Sequence, residues 1–413
     1  MRVTRAALAL IALIALVAPT VSGQVGTTRA FTGLTVIDGT DRPPVSNATI
    51  VVRDGRVVSV GPTGSVAIPA AAERVALDGK VAIPGLINAH GHVNEPRDLR
   101  TYAPYGVTTV FSLGGEQPPV FAARAAQDTP SLDRARVFVA GPVLSPSTPA
   151  AARAQVAEVK AQNADIVKIR VDDNLGTTQK MAPEVYRAVI DEAHKLGLRV
   201  AAHLFYLADA KALLAAGVDL IAHSVRDTVV DDALISALKA RGVCVSPTLM
   251  REVSTFVYES TPAFFSDPFF LAHANADWVR TLQEPARQQA MRTSRSAQRY
   301  KAALEVAKRN VKRLADAGVP IAMGTDTGPT GRFQGYFELM ELELMAEAGL
   351  TPRQVIASAT RDAARCMKLD RELGTLEAGK WADFVVLDAN PLEDIGNVRR
   401  IAAVYVAGNR LSR

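Results

Sequence analysis

The chain has few cysteines and lacks the motifs of several common enzyme classes. Only Cys244 and Cys366 occur among its 413 residues, and two cysteines do not make the disulfide framework of a small secreted scaffold. Both lie in apolar segments, so we expect two buried free thiols. The sequence contains no glycine-rich dinucleotide fingerprint and no G-x-S-x-G motif, which disfavours a dinucleotide-binding sheet and a serine hydrolase.

The charge of the chain is small and mixed. Its formal charge is +5 at pH 7, and charged residues make up 22% of the sequence, an ordinary proportion for a globular protein. Arg2 and Arg5 lie in a segment that we expect to be removed, which would leave +3. No cluster of lysine and arginine with interleaved aromatic residues occurs, so we expect no nucleic-acid partner. The hydrophobic content of 48% is enough for one large core or two smaller ones.

Residues 1–23 have the pattern of a signal peptide. A basic start precedes an apolar stretch from Ala6 to Val17, which is followed by Pro19 and by small residues up to Gly23. The apolar stretch is short for a membrane span, and no cysteine that could carry a lipid follows it. We predict cleavage near Gly23 and a secreted or periplasmic protein without stable membrane insertion; the alternative is an uncleaved anchor.

Four segments of the chain repeat one pattern, in which a helix is followed by a glycine and then by four to six strand-forming residues. The segments are DEAHKLGLRVAAHLF, KALLAAGVDLIAHSV, SALKARGVCVSPTL and KRLADAGVPIAMGTD. A glycine just past a helix is typical of a left-handed cap, and the repeat is typical of a parallel sheet. Four further strands lie in AIPGLINAHGH, YGVTTVFSLGG, RVFVAGPVLS and ADIVKIRVDD. Eight such strands predict a TIM barrel over residues 84–371; a doubly wound open sheet is the alternative.

The two ends of the chain have a different pattern. Residues 24–83 and 372–413 contain short alternating strands separated by turns rich in glycine, aspartate and asparagine. This pattern is typical of an antiparallel β-sandwich. We therefore predict a small composite β-sandwich domain that both chain ends form together.

Four of the six histidines lie at the carboxyl ends of predicted strands. The first strand ends in INAHGHVN, and alternate residues of a strand point the same way, so His90 and His92 would project side by side as two metal ligands must. Taken alone, this pair is more typical of ordinary polar residues at a strand end. The catalytic end of a TIM barrel is where its strands end, and the other candidates lie there too: Lys168 in the fourth strand, His203 in the fifth, His223 in the sixth and Asp326 after the eighth.

These residues and their flanking segments resemble the amidohydrolase superfamily of metal-dependent hydrolases. The resemblance covers nearly the whole mature chain and rests on PGLINAHGH, on GTD after the eighth strand, and on GTLEAGKWADFVVLDANPLEDI near the end. The chain is most similar to the imidazolonepropionase-like and Xaa-Pro (prolidase-like) dipeptidase group, in which carbon dioxide carbamylates a lysine of strand four. The resemblance implies that His90, His92 and Asp326 hold one metal ion. It implies that His203 and His223 hold a second, bridged to the first by carbamylated Lys168.

The expected chemistry is hydrolysis of a C–N amide bond in a dipeptide or an N-acyl amino acid. Imidazole and carboxylate ligands suit zinc, although other divalent ions are alternatives, and two metals roughly 3.5–4 Å apart activate a bridging water and polarise a carbonyl. Asp326 would take the proton of the water and pass it to the leaving amine. An alternative for Lys168 is an ammonium paired with Asp165, Asp172 or Asp173.

Several candidates for substrate contact are less specific. Arg170 and Arg226 could clamp a substrate carboxylate, and Tyr206 could hydrogen-bond a substrate carbonyl; structural pairing or packing is the alternative for each. A long insert at about residues 251–317 is either a lid over the barrel mouth or the contact of a homo-oligomer. We expect His194, in a helix, and His273, in the insert, to be structural.

Two other functions stay open at this point. The same two-metal site could hydrolyse a different bond, such as that of a lactone, a carbamate or a phosphotriester. The protein could also be a non-catalytic secreted binding protein, although a complete set of ligands argues against that function.

Overall fold

The computed structural model describes residues 27–412. The predicted signal peptide, residues 1–23, lies outside these residues, so its cleavage and the resulting location stay predictions. Within the described part of the chain, no helix is both long enough and apolar enough to cross a lipid bilayer.

The strands and helices alternate through most of the chain. The strands are β1 (Thr28–Val36), β2 (Val45–Arg53), β3 (Arg56–Pro62), β4 (Glu73–Ala76), β5 (Val81–Pro84), β6 (Leu86–Gly91), β7 (Val107–Ser112), β8 (Arg136–Val139), β9 (Val143–Leu144), β10 (Val167–Arg170), β11 (Val200–His203), β12 (Leu220–Ala222), β13 (Cys244–Ser246), β14 (Phe384–Leu387), β15 (Ile401–Val406) and β16 (Asn409–Arg410). The helices are α1 (Asp98–Tyr102), α2 (Pro118–Ala125), α3 (Pro149–Ala161), α4 (Pro183–Lys195), α5 (Leu207–Ala216), α6 (Asp232–Arg241), α7 (Leu249–Val253), α8 (Pro268–Leu271), α9 (Ala276–Leu282), α10 (Pro285–Thr293), α11 (Arg295–Asp316), α12 (Tyr336–Glu347), α13 (Pro352–Ser358) and α14 (Arg361–Met367). Short 3₁₀ helices span Ala103–Tyr105, Val257–Glu259, Ala263–Ser266 and Ile395–Arg399.

The strands β6 to β13 run parallel in the order of the chain and make up seven barrel strands, because β8 and β9 are two parts of the third. Strands β6, β7 and β8 pair in one group, and β9 to β13 pair in a second group. The amide of Asp165, just before β10, donates to the carbonyl of Val139 at the end of β8 (2.8 Å) and so joins the two groups. All six residues of β6 are buried, as expected for strands that helices cover on the outside.

The segment 320–327 closes the circle as the eighth barrel strand. The amide of Ala322 donates to the carbonyl of Val245 in β13 (2.9 Å), and the amide of Thr325 donates to the carbonyl of His90 in β6 (3.0 Å). The eighth strand is therefore hydrogen-bonded to both the seventh and the first. The predicted TIM barrel is confirmed, and its catalytic end is the end at which His90 lies.

The helix caps follow the repeated sequence pattern. Helix α5 ends at Gly217 (φ 98°) and helix α6 ends at Gly242 (φ 62°), both in the left-handed conformation that glycine adopts at little cost. At its start, α6 is capped by Asp231, whose carboxylate accepts from the amide of Leu234 (3.0 Å). These caps stop each helix where the next buried strand must begin.

Strands from both chain ends form the predicted composite β domain. The order of its sheet is β16-β15-β14-β5-β1-β2-β3, and β4 pairs with β1. The pairs β1–β4 and β1–β5 are parallel, so the domain is mixed rather than wholly antiparallel as its turns suggested. A buried ion pair between Arg136 of β8 and Asp383 (2.7 Å) fixes this domain to the barrel.

The expectation of two free thiols is wrong. Cys244 and Cys366 form a disulfide bond with their Cα atoms 5.8 Å apart, within the range that a disulfide requires. Cys244 opens β13 and Cys366 lies on α14, which the barrel brings together although 122 residues separate them in sequence. Composition alone contained no information on this proximity.

Removal of the disulfide is expected to destabilise the fold. A crosslink over 122 residues restricts the unfolded chain, and the loss of such a bond costs about 2–5 kcal/mol. We therefore expect the double variant Cys244→Ala, Cys366→Ala to unfold at a clearly lower urea concentration than the oxidised protein. Reductant should lower the midpoint of the unmodified protein and leave that of the double variant in place. Two titratable thiols in the oxidised, denatured protein would contradict the bond.

The insert between β13 and the eighth strand forms helices α7 to α11. Its aromatic side chains are largely internal: Phe270 is fully buried and lies 4.8 Å from the ring of Phe333, just beyond the eighth strand. The insert is thus anchored on the loop that follows Asp326. Whether it acts as a lid or as a contact between subunits stays a prediction.

Candidate metal centre

Five strand ends position the candidate ligands at one end of the barrel. His90 lies in β6, with His92 directly beyond it; Lys168 lies in β10; His203 ends β11; and His223 directly follows β12. Of these, His90, Lys168, His203 and His223 are buried within the protein. The eighth strand adds Asp326, which is 6% exposed.

The first group of side chains gathers around Asp326. His92 Nε2 lies 2.9 Å from Asp326 Oδ1, and His90 Nε2 lies 3.4 Å from the same oxygen. Lys168 Nζ is 2.9 Å from His90 Nε2. Donor atoms of His90, His223 and Asp326 all lie within 4.8 Å of one another. Imidazole nitrogen and carboxylate oxygen at this spacing make a site that a divalent ion could occupy.

The remaining histidines lie beside this group. The ring centroids of His203 and His223 are 4.2 Å apart, and those of His223 and His90 are 4.6 Å apart. The four barrel histidines and Asp326 therefore form one continuous cluster, with Lys168 among them.

Each of three histidines has one ring nitrogen held by an outer partner. His92 Nδ1 lies 2.8 Å from the carbonyl oxygen of Gly114. His203 Nε2 lies 2.9 Å from Asp172 Oδ2, and His223 Nδ1 lies 2.7 Å from Thr248 Oγ1. Such partners orient a ligating histidine and leave its other nitrogen for a metal.

His90 differs from the other three. Its Nδ1 is buried and has no hydrogen-bond partner among the described residues, while its Nε2 faces Lys168 and Asp326. A buried polar atom without a partner is rare in a folded protein and points to a missing ligand or a strained site.

Asp172 connects the cluster to Arg170. Arg170 Nε donates to Asp172 Oδ1 (2.8 Å), and the other oxygen of Asp172 contacts His203. Burial opposes ionisation of Asp172, but His203 and Arg170 hold its pKa well below the usual range. Asp172 is therefore a carboxylate that fixes the His203 ring.

Burial keeps the candidate ligands in the protonation states that metal binding needs. It lowers the pKa of His203 to about 3 and holds the pKa values of His90 and His223 well below their usual range. Burial also lowers the pKa of Lys168 to about 7, against the opposing effect of Asp326. Neutral imidazoles bind metal ions, and a neutral lysine amine is the form that reacts with carbon dioxide.

The backbone around the cluster is constrained. His223 (φ 98°), Thr248 (φ 51°) and Asp326 (φ 61°) adopt the left-handed region that non-glycine residues rarely occupy. A Cβ atom on Gly324 would lie 2.8 Å from the Cβ of His90, so only glycine allows the eighth strand to approach the first this closely. Strained residues of this kind persist where the surrounding fold holds them.

The residues present fit a two-metal centre in chemistry and number. The cluster offers four imidazoles and one carboxylate, all within the barrel mouth, and a lysine with a depressed pKa. These are nitrogen and oxygen ligands of the type that zinc and similar divalent ions take.

Comparison with known sequences decides the family. The pattern of the Amidohydrolase family matches residues 81–411, which include the barrel and the end of the β domain. The chain belongs to the amidohydrolase family. This amidohydrolase is a hydrolase that acts on carbon–nitrogen bonds.

Individual relatives of the amidohydrolase agree with this assignment. It is 25% identical over 370 residues to an imidazolonepropionase from Streptomyces coelicolor, covering 84% of this chain and 86% of that protein. The structure of a Bifidobacterium longum protein provisionally named a prolidase is similar, with a TM-score of 0.77 and 28% identity over 94% of this chain and 95% of that one. A Xaa-Pro dipeptidase with bound methionine has the same fold, with a TM-score of 0.76 at 20% identity over 94% and 100% of the two chains.

In the amidohydrolase structure, the three side chains suggested as substrate contacts do not meet in one place. Arg170 is bound to Asp172, and Arg226 is fully buried beside Glu252 (2.8 Å). The hydroxyl of Tyr206 donates to Asp173 (2.9 Å). Each side chain already has a structural partner, so its contact with a substrate stays a prediction.

Two other sequence-based expectations can be compared with the amidohydrolase structure. The three aspartates proposed as alternative partners of Lys168 have other contacts. Asp165 accepts from Arg124 (2.9 Å), Asp172 from Arg170 and Asp173 from Tyr206.

The two histidines expected to be structural lie away from the metal ligands. His194, on α4, contacts Asp219 (2.9 Å), which is the structural role expected of it. The ring of His273 packs on Tyr105 at a centroid distance of 5.4 Å.

Several residues of the amidohydrolase site were missed by sequence reasoning. Thr248 and Asp172 hold two histidines, Arg332 pairs with the carboxylate of Asp326, and Arg251 and Glu252 lie buried in α7. The segment VDD directly after strand four was a signal for Asp172. The others lie in loops or the insert, where no periodic pattern points to them.

Proposed function

We propose that this protein is a two-metal amidohydrolase that cleaves dipeptides or N-acyl amino acids. The observation that carries the proposal is the convergence of His90, His92, His203, His223 and Asp326 with the buried Lys168 at the mouth of the barrel. Zinc is the metal that we propose, because the donors are imidazole nitrogen and carboxylate oxygen.

The ligands divide into two sets around Lys168. We propose that His90, His92 and Asp326 hold one ion and that His203 and His223 hold the other. The Lys168 amine would add to carbon dioxide and lose a proton, which turns a neutral side chain into an anionic carbamate between the two cations. The pKa of Lys168, lowered to about 7 by burial, supports this step because the free amine is populated at neutral pH. The two ions, when bound, would acidify a water molecule and polarise the amide carbonyl.

Asp326 is proposed to move the proton. Its carboxylate is held by Arg332 and by His92, and these charges keep its pKa well below the usual range although burial acts against them. As a carboxylate that is itself one of the proposed metal ligands, Asp326 can accept a proton from the attacking water and deliver it to the departing amine. Arg332 and His92 fix the orientation that this transfer requires.

A cavity beside the metal centre is proposed for the apolar part of the substrate. It has a volume of about 510 Å³, a size suited to a small molecule. Gln334 in its wall donates to the backbone carbonyl of His92 (2.7 Å), so the cavity lies close to the end of the first barrel strand. The aromatic residues of its wall are Tyr105, Phe270, Trp278, Phe333 and Tyr336.

We also propose that the protein works in an oxidising compartment, outside the cell or in the periplasm. The disulfide between Cys244 and Cys366 supports this location, since such bonds persist mainly in oxidising surroundings. It agrees with the signal peptide predicted for residues 1–23.

Metal analysis with an amide panel tests the proposed function. Protein purified with zinc and bicarbonate should contain about two metal ions per chain, and it should release amino acids from N-acyl amino acids or dipeptides. Removal of the metal with a chelator should abolish hydrolysis, and zinc should restore it. At most one tightly bound ion under these conditions, or faster cleavage of lactones and phosphotriesters than of amides, would contradict the proposal.

A further inference from the structure

A buried carboxylate binds residues that flank two of the candidate metal ligands. Glu338 lies in the first turn of α12, and its side chain is shielded from solvent. Its hydrogen-bond donors among the described residues are all uncharged groups. Burial raises the pKa of Glu338 to about 7, and hydrogen bonds from Thr327 and Thr325 oppose that rise. Because burial of a carboxylate without a cationic partner is costly, these donors have to offset the whole of that cost.

Only one oxygen of Glu338 serves its own helix. Oε2 accepts from the backbone amide of Gly335 (2.6 Å), the residue before α12, and a glutamate in the first turn of a helix commonly reaches back in this way. The other oxygen, Oε1, accepts from Asn88 Nδ2 (2.5 Å), Thr325 Oγ1 (2.8 Å) and Thr327 Oγ1 (2.6 Å). A helix cap requires none of these three contacts. Oε1 therefore connects α12 to the first and eighth barrel strands.

The two threonines are the neighbours of Asp326 in the eighth strand. Thr325 and Thr327 both donate to the same oxygen of Glu338, whereas the carboxylate of Asp326, between them, contacts His92 (2.9 Å). Holding both neighbours of a residue restricts the backbone between them, and the backbone of Asp326 has the rare left-handed conformation (φ 61°). Glu338 thus fixes the backbone that directs Asp326 to the metal cluster.

Asn88 extends the same constraint to the first strand. Its Nδ2 donates to Glu338, and its Oδ1 accepts from the backbone amide of His90 (2.9 Å). The carbonyl of His90 in turn accepts from the amides of Thr325 (3.0 Å) and Asp326 (2.6 Å). These contacts form a closed ring of buried hydrogen bonds where the two strands meet. The ring contains the backbone of His90 and Asp326 and uses no side-chain atom of either candidate ligand.

We propose that Glu338 is a positioning residue, which holds the first and eighth strands in the register that brings His90 and Asp326 together before a metal ion binds. This proposal deepens the proposed function, since it rests on metal binding by these two residues. His90 Nε2 and Asp326 Oδ1 already lie 3.4 Å apart. Groups that orient metal ligands from behind commonly contribute about ten- to a hundredfold to metal affinity.

The first test measures zinc affinity by competition with a chromophoric chelator, which requires no turnover. Glu338→Gln keeps the size of the side chain but replaces one accepting oxygen with a donating NH2 group. We expect this variant to bind zinc roughly ten- to a hundredfold more weakly than the parent protein. Asn88→Asp alone should also weaken binding, because it sets a second carboxylate 2.5 Å from that of Glu338.

The double variant Asn88→Asp, Glu338→Gln exchanges the carboxylate and the amide across their contact. The new carboxylate can still accept from the amide of His90, and the new side-chain amide can donate to that carboxylate and accept from the amide of Gly335. We therefore expect the double variant to recover most of the zinc affinity that Glu338→Gln loses. Such a recovery shows that the contact itself sets the affinity, which a general effect on folding would not produce.

Hydrogen–deuterium exchange of the zinc-free protein gives a second readout. Peptides that cover residues 321–328 report the amides of Thr325 and Asp326, which are bound to the carbonyl of His90. We expect these peptides to exchange faster in Glu338→Gln and to return towards the parent rate in the double variant.

Two further variants complete the comparison. Thr327→Val removes a single donor to Glu338, so it is the milder change, and we expect a few-fold loss of zinc affinity. Glu343→Gln is the matched control. Glu343 also lies on α12 but pairs with Arg399 (2.5 Å), and its variant should keep the zinc affinity and the exchange rates of the parent protein.

Three results would overturn the positioning role: unchanged zinc affinity in Glu338→Gln, even with lower stability; no recovery in the double variant; or, where Glu338→Gln does not fold, parent-like affinity in Thr327→Val. A parent protein that binds no zinc, yet shows exchange over residues 321–328 that depends on Glu338, would instead refute the proposed function alone.

Discussion

Lys168→Ala is expected to lose at least one metal ion per chain and to lower kcat/KM for amide hydrolysis by roughly a thousandfold, equivalent to about 4 kcal/mol in the transition state. Lys168 is 3% exposed, and its Nζ lies 2.9 Å from His90 Nε2. Its removal would therefore take the proposed bridging anion from the middle of the cluster. Elemental analysis and steady-state kinetics on the same preparation measure both effects.

The space left by Lys168→Ala offers a second readout. A short carboxylic acid such as acetate or propionate can occupy that space and supply the missing anion, so we expect it to restore part of the metal content and of the activity. Lys80→Ala is the matched control, since Lys80 forms an exposed ion pair with Asp388 (2.7 Å) and should behave as the parent protein. A fully metallated and active Lys168→Ala variant would show that the lysine has a structural role.

Asp326→Asn is expected to lower kcat by roughly a hundred- to ten-thousandfold, as the loss of a general acid–base group does. The amide keeps the size of the carboxylate and can still offer an oxygen, but it cannot carry the proton. The comparison is made at saturating zinc with metal content matched by elemental analysis, so that the fall in kcat reports proton transfer and not an empty site.

The control for Asp326→Asn is Asp388→Asn, which removes the carboxylate of the exposed pair with Lys80. We expect this variant to match the parent protein in kcat and in metal content. Turnover by Asp326→Asn within a fewfold of the parent protein would exclude the proton-transfer role assigned to Asp326.

The barrel was predictable because its pattern is local and repeated. Each unit has a helix, a capping glycine such as Gly217, and a short strand buried on both faces, and these features depend on neighbouring residues only. The candidate metal ligands were predictable for the same reason, since a residue at the end of a parallel strand lies at a known end of the barrel. The positions of His203 and His223 at the barrel mouth therefore follow from the strand pattern alone.

The contacts that surround the ligands could not be predicted in this way. Thr248 approaches His223 from the loop after the next strand, and Gly114 approaches His92 from the loop after the neighbouring strand β7. Neither residue has a side-chain type or spacing that indicates such a contact. The same holds for the disulfide between Cys244 and Cys366, because proximity across 122 residues depends on how the barrel closes.

The sequence by itself determined the class of fold, its composite β domain and the set of side chains that face the barrel mouth, because periodicity and strand ends act over a few residues. Only the tertiary structure decided which charged side chains pair with each other. Arg170 and Arg226 looked equivalent as sequence positions, yet one is bound to Asp172 and the other shares Glu252 with Arg251. Charge pairing depends on distances between segments that are remote along the chain, and these distances are set only when the strands close into a barrel and the insert packs on it.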